Sequence, residues 1–595
     1  MRLEKLWISA GLVAIGLSVC LAEPAHPARR GEGVVGHGAP AETGSIVAFV
    51  GSLREAVEAA PSRASVPAGS LQEALQRILP DEAGQPRCLA PFVLEGVRQS
   101  SASPVFAAYL RPVLAPPALA RESVASSPDG AFSVHYTLDR SSADAVFSTD
   151  VNGDALPDYV EQIIKALTSS RDTIAARFGF MAPRNGSALD VYLANLGGGI
   201  DGYSAPAPSG DGVFIVLDSR LLGNDALLRA AVSHQLAHAI LAGYAPGAPV
   251  WWTEATASWL EGAVAGSYAH YLDKMQAALE HAADGLASDD PRVCQGHLLW
   301  PAYIATLPGR ETLVRQIWEH LQQQGETLDL WRATDDTLRT HGLTLEDAFA
   351  DYSIWLLQSG PRSDGWHFAA ADRLAGVPMT GSYDVYPVAQ IQNSPRLSPM
   401  GAAFIRFTAD RNEGGLRLRF EGDLPGAFQA QLLLTPRAAG APLVRAPLVI
   451  DERGRGSIAI PWASFSEAVL VVGNVARSDA GAGYSFVART EPTFPFELVS
   501  LRAEPQGDEV AVTWETQSEN GMFGWILYRT ESPREVPRRL NQFVIPAIGD
   551  GDGPVSYQYV DGGIIRGRSY SYKLVGITQD GLPREAPETR VDIPR

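Results

Sequence analysis

Residues 227–261 read LLRAAVSHQLAHAILAGYAPGAPVWWTEATASWLE, and the fold of the first half of the chain turns on this stretch. Asn224 and Asp225 precede it with side-chain oxygens able to cap a helix. Leu228, Ala231, Val232, Leu236 and Ala239 then recur at helical spacing. His234 and His238 are four positions apart, so both rings share one helix face, one turn from each other. Two imidazoles so placed can share one divalent metal ion. Zinc wants a third protein ligand, and Glu254, 16 positions after His238, offers a carboxylate at the start of a second helical pattern. With 11 histidines in the chain, an HxxxH pair alone is weak evidence. The glutamate, the tryptophans Trp251 and Trp252 before it and the strand-like run before the first helix make it stronger.

The spacing matches the HExxH pattern of zinc hydrolases except at one place. The position after the first histidine, where that pattern has its general base, is Gln235. An amide cannot take a proton from metal-bound water near neutral pH. The metal ligands are therefore all present, and the expected catalytic carboxylate is not.

At 595 residues the chain is too long for a single core and predicts three or four domains. A hydrophobic share of 46% and a charged share of 19% are ordinary for globular protein. The net charge of −19 argues against nucleic acid or an anionic membrane as the main partner. The first 22 residues, with Arg2 and Lys5 beside the apolar run from Leu6 to Leu21, read as a signal peptide. Secretion to the periplasm or the extracellular space follows, with no transmembrane segment in the mature chain; lipidation at Cys20 is the alternative. Export leaves Cys88 and Cys294, which predicts one disulfide between them, against two buried thiols.

Residues 23–85 read as a linker followed by short amphipathic helices between Ser45 and Leu79. Strands are expected at 131–137, 189–193 and 212–217, and a mobile Gly/Pro/Ser-rich loop at 197–211. Asp150, Asn152, Asp154, Asp158 and Glu161 fall at positions 1, 3, 5, 9 and 12 of a calcium-type loop, with Ala155 where such loops have glycine. The alternative is a turn whose acidic side chains cap the helix that begins near Pro157. From 376 to about 490, and again from 491 to 595, short alternating apolar runs between turn residues predict two β-sandwiches.

Taken together, AFSVHYT, DVNGDALPDY, LDVYL, GVFIVLD, the HxxxH helix and WWTEATASW resemble secreted bacterial metalloproteases of the gluzincin type over about residues 86–360. The resemblance implies an α+β zincin-like domain over 86–375, with zinc on His234, His238 and Glu254 and the base position at Gln235. VAVTWETQSENGMFGWILYR, YQYVD and RSYSYKL resemble a fibronectin type III-like module. The expected function is that of a zinc metallopeptidase homologue acting on a protein or peptide, inactive or weakly active because of Gln235. The alternative is a non-catalytic extracellular binding protein that meets a cell-surface partner through the two β modules. If hydrolysis persists, Tyr268, His270, Tyr271 or His297 would stabilise the oxyanion, and Glu261 lies two turns beyond Glu254, too far along its helix to replace the base.

Overall fold

A computed structural model describes residues 88–90, 93 and 113–595, apart from short stretches of which 182–187 and 409–414 are the longest. The expected signal peptide, the Cys20 lipidation site and the helices at 45–79 lie outside the described residues. No helix among the described residues is long and apolar enough to cross a membrane.

The first sheet holds β1 (Glu122–Ser126), β2 (Phe132–Thr137), β3 (Leu189–Ala194), β4 (Gly202–Pro206) and β5 (Val213–Asp218) in the order β1-β2-β3-β5-β4. β2, β3 and β5 run parallel, while β1 and β4 are antiparallel to their neighbours. Helix α1 (Asp158–Phe178) makes the crossover from β2 to β3, as parallel neighbours require. It stops at Gly179, whose φ of 74° takes the left-handed cap that glycine adopts without strain.

β5 is covered on both faces, which explains its unbroken apolar run. Ile215 and Leu217 pack under the helices with Phe132, Val134 and Val191. Phe214 and Val216 face the other way, against Tyr203, Leu89 and Val93. The strand expected at 212–217 is thus an interior one, and the edge is β4. β4 itself lies inside the stretch expected to be a mobile loop: its glycine and proline read as turn residues, yet Gly202 and Pro206 pair with β5.

Two helices stand over this sheet, α2 (Asp225–Ala242) and α3 (Val250–Ala265). Every residue from Val232 to Leu241 and from Val250 to Glu261 is buried. Such helices are interior on all sides rather than amphipathic, so their polar side chains must find partners within the protein.

Further helices follow to Leu357, and then the chain turns to β structure. A two-sheet sandwich spans Gly381–Glu491, and a second, of three- and five-stranded sheets, spans Glu497–Asp592. The protein is therefore multidomain and rich in β-sheet. The border expected at 375/376 is a change of element type and not a break in packing. Phe349 and Tyr352, on the helix Leu345–Leu357, share one core with Phe404, Leu433 and Val469 of the first sandwich. The two sandwiches also meet, through one parallel rung between Ala459 and Arg584.

Candidate metal centre

α2 and α3 pack together and converge five buried polar side chains. His234, Gln235 and His238 project from α2, and Glu254 and Glu261 from α3; none is more than 4% exposed. The two imidazole Nε2 atoms face each other at 3.1 Å. Glu254 reaches both, with Oε1 2.9 Å from His238 Nε2 and Oε2 3.7 Å from His234 Nε2. The helix spacing supplies the pair of rings, and the second helix brings the carboxylate to them.

A fourth group completes the cluster. Cys88 arrives from outside the helical layer, its backbone bridged to Gly202 at the head of β4, where the Leu89 amide donates to the Gly202 carbonyl at 3.1 Å. Its Sγ lies 3.6 Å from His238 Nε2 and 4.0 Å from Glu254 Oε1. Donors set about 2.0–2.3 Å from one zinc ion in a tetrahedron lie about 3.3–3.6 Å from each other. Five of the six distances between these donors, 2.9–4.0 Å, straddle that range, and all four donors lie within 4.8 Å of one another. The buried Cys88, His234, His238 and Glu254 could hold a metal ion.

Around the cluster the remaining side chains fix the ligand orientations. Glu261 Oε2 lies 3.0 Å from His234 Nδ1, leaving Nε2 turned inward, and Tyr271 OH is 3.2 Å from the same nitrogen. Tyr271 OH also donates to Glu261, and His270 pairs with that carboxylate from its other side. Gln295 Nε2 donates to Glu254 Oε2 at 3.0 Å. Carboxylate and amide partners of this kind set the tautomer and aim of metal-binding side chains. His238 Nδ1 and Gln235 Oε1 are buried without a hydrogen-bond partner.

In the metal-free protein these groups act as one another's counter-charges. Burial disfavours a charged His238, but Glu254 and Cys88 outweigh it and push its pKa up to about 9. His234 is raised well above its usual value against the same burial cost, by Cys88, Glu261 and Glu254. Burial likewise opposes ionisation of Glu261, yet hydrogen bonds from His234 and His270 pull it down to about 2. Burial and Glu254 would raise the Cys88 thiol; the two imidazoles outweigh them and lower it.

The expected Cys88–Cys294 disulfide is not made. Cys88 is turned into the histidine cluster, while Cys294 is buried in the helical core. The tyrosines and histidines considered as oxyanion donors have other partners or surroundings. Tyr268 OH donates to the Trp259 carbonyl, Tyr271 and His270 attend Glu261, and His297 packs edge-on to Trp251. Burial and nearby His281 push His297 down to about 4, so it is neutral at ordinary pH.

The loop Asp150–Glu161 is built on other terms. Asp150 accepts from the amides of Gly153 and Ala155 at 2.7 and 2.9 Å, Asp154 from Leu156 at 2.9 Å, and Asp158 from Val151 at 3.1 Å. Asn152 donates to Asp154 and Glu161 at 3.3 and 3.1 Å. The five side chains thus gather around one turn, with Asn152 and Asp154 exposed. Ala155 takes φ 72°, the left-handed conformation for which calcium loops use glycine at that position.

No protein-family model matches the chain, and no curated protein matches it. Solved structures match in part only. An Fn3-like protein from Clostridium thermocellum is 17% identical, with 17% of this chain and 93% of that one covered at a TM-score of 0.13. Pectate lyase PelI from Erwinia chrysanthemi is 13% identical over 16% of this chain and 28% of its own, also at 0.13. A β-1,2-glucanase from Parabacteroides distasonis is 10% identical over 35% of this chain and 37% of its own, at 0.14. Scores this low carry no argument about the fold or activity of this chain.

Proposed function

We propose that this is an exported zinc-binding protein of metallopeptidase ancestry that hydrolyses peptide bonds slowly or not at all. The observation that carries the proposal is the convergence of His234, His238 and Glu254 in a buried site where Gln235 stands at the position of the general base. Bound zinc supplies Lewis acidity, polarising a carbonyl or lowering the pKa of a bound water. The chain's own residues do the rest: His234, His238 and Glu254 hold the ion, Glu261 orients His234, and Gln295 steadies Glu254. Glu261 is not free to act as a base in place of Gln235, since it is committed to two histidines and a tyrosine. Loss of a general base typically costs about 10²–10⁴-fold in rate.

Gln235 equally supports the second reading, a non-catalytic extracellular protein. Its zinc domain would be a scaffold, and the first sandwich with the fibronectin-like module would meet a cell-surface partner. Metal analysis of the purified protein beside hydrolysis of an unstructured protein tests both. Zinc stoichiometry near one in the wild type, lost in His238→Ala, with hydrolysis near background, supports the proposal. Robust hydrolysis abolished by a chelator overturns it, and a well-folded wild type that takes up no zinc leaves the scaffold reading.

A further inference from the structure

Resting on the metal site proposed above, we infer that Cys88 is a permanent fourth ligand, and that Gln235 serves its sulfur rather than a water molecule. Three observations on independent elements meet at Sγ. First, Sγ lies among the other three donors, all four within 4.8 Å of one another, and its 3.6 Å distance from His238 Nε2 is close to the separation of a thiolate and an imidazole on one tetrahedral ion. Second, Sγ accepts two N–H groups, from the Ala90 amide at 3.3 Å and from Gln235 Nε2 at 3.2 Å. Hydrogen bonds of this kind stabilise a thiolate bound to metal. Third, the backbone that carries the sulfur is pinned. Cys88 is bridged to Gly202 on β4, and Leu89 is buried against the outer face of the sheet.

Gly202 makes the arrangement possible. A Cβ there would stand 2.6 Å from the Val216 carbonyl and 3.0 Å from Gln235 Cγ. Only glycine lets β4 carry the Cys88 segment this close to α2.

The substitution that removes the catalytic carboxylate therefore has a positive role. A glutamate at 235 would set a second negative charge against the Cys88 thiolate, whereas the amide donates to it. On binding, Cys88 loses its thiol proton to solvent and gives the ion its fourth protein ligand. Three protein ligands with an open position mark a hydrolytic zinc site, and four mark a closed one. The position that water would need is occupied by the protein's own sulfur. The centre is a structural clamp that fastens the Cys88 segment to the edge of the sheet.

Cobalt(II), added to the metal-free full-length protein, is the probe. The wild type should show tetrahedral visible absorption together with near-ultraviolet thiolate-to-cobalt charge transfer. Cys88→Ser should bind cobalt without the near-ultraviolet band, while Cys294→Ser keeps it. Gln235→Ala should weaken zinc binding about 10–100-fold, as for other groups that support a ligand. Gln235→Glu alone should stay hydrolytically silent. In the unmutated protein, Cys88 should resist alkylation while zinc is bound and react at least tenfold faster after chelation. Cobalt bound with no thiolate band, or Cys88 alkylated equally fast with and without zinc, overturns the clamp and leaves the metal site standing. No cobalt uptake by the wild type overturns both.

Discussion

The Asp150–Glu161 loop and the α2–α3 cluster each gather several metal-type ligands, yet they solve opposite problems. In the loop the donors come from one short stretch, and the carboxylates of Asp150, Asp154 and Asp158 accept backbone amides. The loop is near water and complete without an ion. In the cluster the donors come from two helices and a distant cysteine, all of them buried, and they satisfy mainly each other. Burial makes the second arrangement depend on that mutual pairing, because a charge left unpaired in the interior is expensive. A regular spacing of acidic residues creates no such dependence. The difference is therefore between exposed ligands held by backbone amides and buried ligands that satisfy one another and could hold a metal ion.

The harshest way to break this comparison is His238→Ala. It should abolish zinc binding and leave Glu254 buried with its nearest partner gone, a loss of about 3–5 kcal/mol in stability, read as a drop in denaturation midpoint. If the same substitution costs less than Asp150→Ala, the contrast between the two regions is wrong. Next in size is Gly202→Ala, which pushes β4 away from Gln235 and should cost about 1–3 kcal/mol while exposing Cys88 to alkylation. Unchanged stability and an unreactive Cys88 would show that the approach of β4 is not needed.

A smaller, graded effect comes from pH. In the metal-free protein the His238 pKa is raised to about 9, so protons compete with zinc across the neutral range. Zinc affinity should rise as pH climbs toward 9, with proton release on binding seen by calorimetry in buffers of different ionisation enthalpy. Without metal the sign reverses. The stability contributed by charged His238 is complete below its unfolded pKa and is lost as pH rises through about 9. Glu261, held at about 2, contributes above its unfolded pKa and loses that contribution as pH falls toward 2. Metal affinity that is flat from pH 6 to 9 would contradict these charge pairings.

The smallest effect is expected from calcium. At millimolar concentrations it should stabilise the wild type by about 1 kcal/mol or less, and Asp154→Ala should remove that increment. An equal shift in the variant would mean that the loop is a capped turn and nothing more.

Much of this was legible in the chain itself, but unevenly. His234, His238 and Glu254 were found because helix periodicity is local: four positions put two rings on one face, and WWTEATASW begins the next helix. The sandwich strands were found because alternation is local too. The disulfide expected for Cys88 is not made, because its side chain turns to Gln235, 147 positions away along the chain. Its compartment suggested a disulfide, and no pattern near it suggests anything else. β4 was taken for a loop because glycine and proline are turn residues by propensity. Here Gly202 is needed for close approach to the Val216 carbonyl of β5 and to Gln235 of α2, a requirement set by tertiary packing. Its bridge to Cys88 was the clue that propensity could not supply.

The placement of Cys88 beside α2 has one more consequence, in the entropy of the unfolded chain. An ion gripping Cys88 together with His234 and His238 closes a loop of the same order as the 147 positions that separate Cys88 from Gln235. A covalent cross-link over that length would lower the entropy of the unfolded chain by the equivalent of roughly 5 kcal/mol. The cysteine would then be a staple of the kind export favours, but one opened by a chelator and indifferent to a mild reductant.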